Sequence, residues 1–317
     1  MEVNGKNVRV GIAVHERSVP ETLEVIRLAD QRGVPAAWLT TGGLGPDALP
    51  IFAAAAVQTE QIKLGTAITP TYPRHPLATA QAALAVAQLA PDRFRLGVGP
   101  SHRPAIEGVF GIPFERPLEH LREYVTVLKQ ALQTGTVDFA GEFYRVKGRM
   151  FDPPGTPVLL SALRPGSYRL AGEIADGAIS WVTPAHYLRD SAAPALATGA
   201  ARRADGVRPL LVGHAFATVS TDAPAVLAAG RERLAVYARL PFYQEMFAAA
   251  GFPEARQAVL SEGLIKSIVI SGDEAAVADG IRAFAACGVD ELIVSLLASG
   301  RDERPTVDRT LRLIASL

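Results

Sequence analysis

Short apolar runs rich in β-branched residues alternate with amphipathic helical stretches along this chain, and the alternation confines it to a parallel α/β architecture. The first unit sets a strand over 8–14 ahead of Pro20, which opens a helix with Leu23, Ile26 and Ala29 on one side and Gly33 past its end. Proline suits a first helical turn, where its missing N–H is not needed, and glycine suits the position just after a helix. Further strands are predicted over 36–40, 62–67, 94–98, 158–161, 178–182, 210–219 and 291–296. Helices are predicted over 47–59, from Pro117, over 165–175 and from Asp273, which is placed as an N-cap. In the helix from Pro117, residues Leu118, Leu121, Val125, Leu128 and Leu132 form the apolar stripe that packs a helix on a sheet.

Eight such strands in 317 residues, 49% of them apolar, fit a closed (β/α)8 TIM barrel, read as a single domain over 1–317. An open doubly wound sheet fits less well, because no G-x-G-x-x-G follows the first strand. Two stretches exceed a minimal barrel, one at 136–157 and a helical one near 227–260, and both are expected to cover its mouth. The 32 basic residues cancel the 32 acidic ones, leaving no long-range field to attract nucleic acid or an anionic membrane. The one cysteine, Cys287, can build neither an intrachain disulfide nor a metal cluster. The first ten residues lack the apolar run of a secretory signal, and no segment approaches the ~20 apolar residues of a membrane span. A cytoplasmic protein acting on a small molecule is expected.

Barrels of this kind carry their chemistry at the C-terminal ends of the strands. That rule selects 15–18, 40–43, 66–70, 72–76, 99–104, 161–166, 181–184 and His214. Four of the six histidines, His15, His75, His102 and His214, fall in the set. His120 and His186 lie in a helix and a late loop and are read as solvated. No strand carries an H-x-H or D-x-H pair, so a metal is not expected. No G-x-S-x-G elbow is present, which argues against a serine hydrolase.

Two strand ends are more informative. From Ser161 the chain passes through Arg164, Pro165 and Gly166 straight into a helix, whose free N–H groups and positive end suit a phosphate or carboxylate. The same residues also read as an ordinary proline-started helix. At Gly65-Thr-Ala-Ile-Thr-Pro70, small residues would let a planar ring approach the backbone closely, although a proline-rich loop explains the composition equally well. Arg74 and His75 likewise read as helix-capping residues.

The run Gly65-Thr-Ala-Ile-Thr-Pro-Thr-Tyr-Pro-Arg-His-Pro76 resembles the strand-three motif of the luciferase-like monooxygenase superfamily, in its F420-dependent branch. Further similar segments are Arg93-Phe-Arg-Leu-Gly-Val-Gly99, Ser101-His-Arg-Pro104, Gly141-Glu-Phe-Tyr144, Leu170-Ala-Gly-Glu-Ile-Ala-Asp-Gly177 and Gly288-Val-Asp-Glu291. That branch includes methylenetetrahydromethanopterin reductase and actinobacterial deazaflavin oxidoreductases. The resemblance implies a luciferase-type TIM barrel, a homodimer, and an oxidoreductase passing hydride between C5 of coenzyme F420 and a small organic substrate, with FMN as the alternative cofactor. It further implies a non-prolyl cis peptide at Ala67-Ile68 as a shelf for the ring. Leu163, Arg164, Pro165 and Gly166 would bind the coenzyme phosphate, Thr66 and Thr69 would touch the ring edge, and Thr40, Ser101 and His102 would complete the cofactor site. Several relatives place an acidic residue and a histidine after strand two, where this chain has Thr41-Gly42. The candidate general acids are then His15, Glu16 and His102. The same departure leaves open a reading of another class, a non-catalytic flavin- or deazaflavin-binding protein.

Overall fold

The computed structural model describes residues 1–299 and 303–317. Its centre is a closed barrel of eight parallel strands: β1 (Arg9–Ala13), β2 (Ala36–Leu39), β3 (Lys63–Thr66), β4 (Phe94–Gly99), β5 (Val158–Ser161), β6 (Gly177–Ile179), β7 (Leu210–Val219) and β8 (Glu291–Leu296). Each strand pairs with the next in sequence, and β8 pairs with β1 through Ile293↔Gly11 and Val294↔Ile12, so that no barrel edge is left open. This is the closed (β/α)8 TIM barrel expected from the alternation. Strand β4 is buried at every position, as a parallel strand covered on both sides must be. Gly97 sits where a Cβ would lie 2.0 Å from the Thr66 carbonyl oxygen, so β3 and β4 approach closely only because that side chain is absent.

The barrel interior is layered. Glu291 opens β8 and Arg9 opens β1, so their contact lies at the N-terminal end, away from the mouth. The Glu291 carboxylate accepts two bonds from the Arg95 guanidinium (2.5 and 2.8 Å), one from Arg9 Nε (3.1 Å) and one from Trp38 Nε1 (2.9 Å). The Arg95 guanidinium also stands 4.5 Å over the Trp38 ring. A smaller buried cluster of Ala13, Ala67, Ile179, Val212 and Ile293 fills the barrel, with Ile68 and Trp181 packed against it.

Helix starts follow the local chemistry read from the sequence. Ser18 Oγ accepts from the Glu21 N–H ahead of the helix Val19–Gln31, and Asp273 does the same for Ala276 ahead of Glu274–Ala285. His75 Nδ1 accepts from Leu77 N (3.2 Å) at the start of Pro76–Leu89, so the capping reading of that residue holds.

Several expectations need correction. The strand predicted over 178–182 ends at Ile179, because Trp181 turns into the mouth and Val182 adopts a left-handed φ of 51°. A short strand at Val269–Gly272, not anticipated, pairs with the C-terminal half of the long β7. Of the two insertions, the helices Ala223–Ala238 and Pro241–Ala249 do cover the mouth, whereas the hairpin Thr136–Ala140/Arg145–Arg149 contributes no residue to the cavity there. The Glu123 carboxylate accepts the N–H groups of Glu142, Phe143 and Tyr144 and ties the hairpin turn to the helix Pro117–Lys129. Finally, His120 is buried, not solvated: its ring stacks on Tyr72 (4.0 Å, 8°) and its Nε2 meets the Tyr144 hydroxyl at 2.8 Å. His186 is half-buried and bonds the Ala250 carbonyl at 2.6 Å. Among the described residues no helix is long and apolar enough to cross a membrane.

Candidate functional site

A cavity of about 870 Å³ opens at the C-terminal ends of the strands. Its walls come from the loop after β2 (Thr40 to Gly43), the segment after β3 (Ala67, Ile68), the loop after β4 (Pro100 to His102), the β5 end with the following helix (Ser161 to Ser167), and Trp181 after β6. The insertion adds Val236, Tyr237, Leu240, Phe242 and Tyr243.

The peptide bond between Ala67 and Ile68 is cis. Both of its flanking carbonyls are held from the loop after β2: Thr40 Oγ1 donates to the Ala67 oxygen (2.9 Å) and the Thr41 N–H to the Ile68 oxygen (3.1 Å). Thr69–Pro70 then pairs with Val98–Gly99 of β4, so the segment is pinned on both sides. Gly99 leaves room for this, since a Cβ there would meet Ser161 Oγ at 2.1 Å and Ile68 at 3.3 Å. The result is an Ala67–Ile68 ledge facing the cavity, held by hydrogen bonds from the loop after β2 and by pairing with β4.

At another wall the helix Pro165–Ile174 begins. Ser167 Oγ accepts from the backbone N–H groups of Leu163 and Arg164 (3.1 and 3.2 Å), which orders the approach to the helix. Pro165 has no N–H, and the Gly166 N–H is left without a partner among the described residues. The side chains of Arg164 and Arg169 are exposed here and form no ion pair among the described residues. An unpaired N–H at the positive end of a helix beside two guanidinium groups can hold an anion.

The structure brings Thr40, Ala67, Ile68, Ser101, His102, Leu163, Arg164, Pro165 and Gly166 to one cavity. It does not bring Thr66 and Thr69 to the wall. Thr66 is fully buried, and its hydroxyl donates to the Gly97 oxygen (2.7 Å) while accepting from the Gly97 N–H (2.9 Å). Thr69 is buried with its Oγ1 unpartnered among the described residues.

Of the three candidate acids, only His102 lines the cavity. Burial lowers its pKa, so its imidazole is neutral at pH 7, and its Nδ1 is buried without a partner among the described residues. His15 stands at the end of β1 with its ring edge-on to Trp181 (6.1 Å, 86°). The surrounding protein, and then the charge of Arg233, lower its pKa. Glu16 is exposed and outside the cavity wall, with its pKa raised by partial desolvation and by Glu21. Among the described residues no three His, Cys, Asp or Glu side chains converge as a metal site would require.

Of the aromatic part of the wall, sequence reasoning selected Trp181 through the strand-end rule and missed the tyrosines. Trp181 and Tyr237 are hydrogen-bonded to each other through Nε1 and the phenol oxygen (2.8 Å), and Tyr237 packs on Tyr243 (4.9 Å). Trp181 lies just past the end of β6, within the selected 181–184. The tyrosines come from helices of the insertion, where apolar spacing alone does not tell a cavity wall from a packing surface.

Residues 7–291 match the luciferase-like monooxygenase family. The chain is 30% identical over 320 residues to the F420-dependent glucose-6-phosphate dehydrogenase of Nocardia farcinica, a match covering 93% of each chain. With the protein of the same name from Beutenbergia cavernae it is 39% identical over 174 residues, and this match spans about half of each chain (52% and 51%). In three dimensions it is similar to the coenzyme F420-dependent tetrahydromethanopterin reductase of Methanopyrus kandleri, with a TM-score of 0.76, 23% identity, and coverage of 98% and 97%. The barrel, its cis ledge and the span of the family match agree: the chain belongs to the luciferase-like monooxygenase family.

Proposed function

We propose that this chain is an F420-dependent oxidoreductase in which the deazaflavin ring lies on the Ala67–Ile68 ledge and the coenzyme phosphate meets the Gly166 N–H, Arg164 and Arg169. The observation that carries the reading is the presence, in one cavity, of a hydrogen-bonded apolar ledge and an unpaired cationic helix start. The names of the Nocardia, Beutenbergia and Methanopyrus proteins support the choice of cofactor. When bound, the coenzyme supplies a hydride donor or acceptor at C5 of its ring.

The chain's own residues do the rest. Thr40 and the Thr41 N–H keep the ledge carbonyls from tilting into the ring's place. Apolar side chains of the insertion exclude water from the ring's open face, which strengthens polar contacts inside. His102, neutral and with a ring nitrogen unpartnered among the described residues, is the wall residue able to hold or move the proton that accompanies hydride transfer. His15 and Glu16 lie beyond the wall and are not assigned this role. Thr66 acts by holding β3 to β4. We further propose that the chain works as one domain and as a homodimer, which analytical ultracentrifugation would test.

Titration of the protein with oxidised and reduced F420 and with FMN tests the cofactor. Tight, preferential FMN binding would overturn the proposal in favour of a flavin monooxygenase. Removing one charge-assisted contact in Arg164→Ala should weaken F420 binding roughly tenfold, and less at high salt. Binding of F420 without turnover across a broad substrate panel would favour the non-catalytic reading.

A further inference from the structure

Trp181 is held by three side chains from other parts of the chain. Its ring stacks on His214 at 3.7 Å and 20°, meets His15 edge-on, and is tied to Tyr237 through Nε1. His214 is itself fixed. Its Nδ1 accepts from the Val182 N–H (3.3 Å), so its proton resides on Nε2, which donates to Ser295 Oγ (2.8 Å). The imidazole is a neutral support within the barrel top, fully buried. Val182 accepts a left-handed φ of 51°, a costly conformation for a β-branched residue, and in doing so aims its N–H at His214.

The braced indole and the ledge line the same cavity, and Trp181 and Ile68 pack on the same buried cluster. From the insertion, Tyr243 and Phe242 continue the aromatic surface. The arginines among the described lining residues, Arg164 and Arg169, belong to the helix end already assigned to the coenzyme phosphate. Arg233, whose charge acts on His15, is not among the lining residues. With Arg164 and Arg169 taken up by the coenzyme phosphate, a second anion brought against Trp181 would lose its hydration with no further Lys or Arg among the described lining residues, whereas a flat uncharged molecule gains dispersion and stacking there.

We propose that Trp181 is the specificity-determining wall of the substrate subsite, and that it selects flat, uncharged carbonyl-type compounds over phosphorylated sugars. The proposal rests on the F420 reading for the position of the ring. It separates this chain from the activity named for its Nocardia and Beutenbergia relatives.

The test is binding of coumarin, an uncharged planar lactone, and of glucose 6-phosphate, to the full chain with and without F420. The two tryptophans are Trp38, sealed in the barrel, and Trp181, so ligand-induced quenching that disappears in Trp181→Phe reports this wall. With F420 occupying the helix start, coumarin should bind more tightly than glucose 6-phosphate. Trp181→Ala should weaken coumarin about tenfold, Trp181→Phe should recover most of that loss, and the Kd for F420 should move less than threefold in both. With F420 bound, tighter binding of glucose 6-phosphate than of coumarin overturns the proposal. So does unchanged coumarin affinity in Trp181→Ala, or in Trp181→Leu if the alanine variant does not fold. Failure of F420 to bind the wild-type chain refutes the cofactor reading separately, since the coumarin comparison is also made in cofactor-free protein.

Discussion

Replacing Glu291 by glutamine should destabilise the chain by about 3–5 kcal/mol, the cost of breaking a fully buried ion pair from one side. The geometry explains why an isosteric change is so disruptive. Glu291 Oε1 accepts from Trp38 Nε1 and Arg95 Nη2, and Oε2 accepts from Arg95 Nη1 and Arg9 Nε. Glutamine keeps one acceptor oxygen and turns the other position into an NH2 group, which then faces two N–H donors. Arg95, whose Nε is already unpartnered among the described residues, is left as a buried cation without a counter-charge. For a chain of this length the loss corresponds to a fall in Tm of about 4–8 °C. Urea unfolding followed by tryptophan fluorescence and far-UV circular dichroism measures it directly.

The matching control is the double variant Glu291→Met/Arg95→Met, which removes both charges and keeps the volume. It should lie within about 2 kcal/mol of the wild type, giving a coupling energy of several kcal/mol. The pH dependence adds a check. Desolvation raises the Glu291 pKa, but Arg95, then Arg9 and Trp38, more than offset it and leave the pKa lowered from 4.5. A carboxylate depressed in the folded state contributes stability above its unfolded value, and that stability is lost as pH falls through the folded value. Glu291→Gln should lack this acid limb. A single variant within about 1 kcal/mol of the wild type, or a double variant no better than the sum of the singles, would refute the reasoning.

Two other perturbations follow from the same structure. Burial holds the His120 pKa down at about 4, against an opposing pull from Glu123, while the unfolded chain takes up this proton near pH 6.5. Stability should therefore fall by about 2 kcal/mol between pH 7 and pH 5 on account of this one group, and His120→Phe should flatten that part of the curve. At the ledge, Thr40→Val removes the donor to the Ala67 oxygen while preserving shape. F420 affinity should fall about fivefold with little change in Tm; an unchanged Kd would show that the ledge is held without this bond.

The barrel was legible because its evidence is local and repeated. Prolines at helix starts, capping residues such as Asp273, and apolar strands each report their own element, and eight such units leave few ways to close a sheet. The mouth was legible as a location for the same reason. The cis peptide was read through a resemblance carried by short motifs, whereas the helix start at Pro165 was legible in its own residues, which left open whether it holds an anion or is an ordinary proline-started helix. What sequence could not separate was direction and depth. Thr66 and Thr40 are both threonines at strand ends, yet one spends its hydroxyl bridging β3 to β4 and the other props the ledge carbonyl.

By itself, then, the amino-acid sequence determined the parallel barrel, the end of it that carries chemistry, and the family motifs along it, since all of these are written in short-range periodicity. Only the tertiary structure decided that His120 is sealed among tyrosines, that His15 and Glu16 stand outside the cavity while His102 lines it, and that His214 braces Trp181. Those outcomes depend on contacts between residues far apart in the chain, as with His214 and Ser295, and no local pattern encodes which distant side chain will fill the space beside a given one.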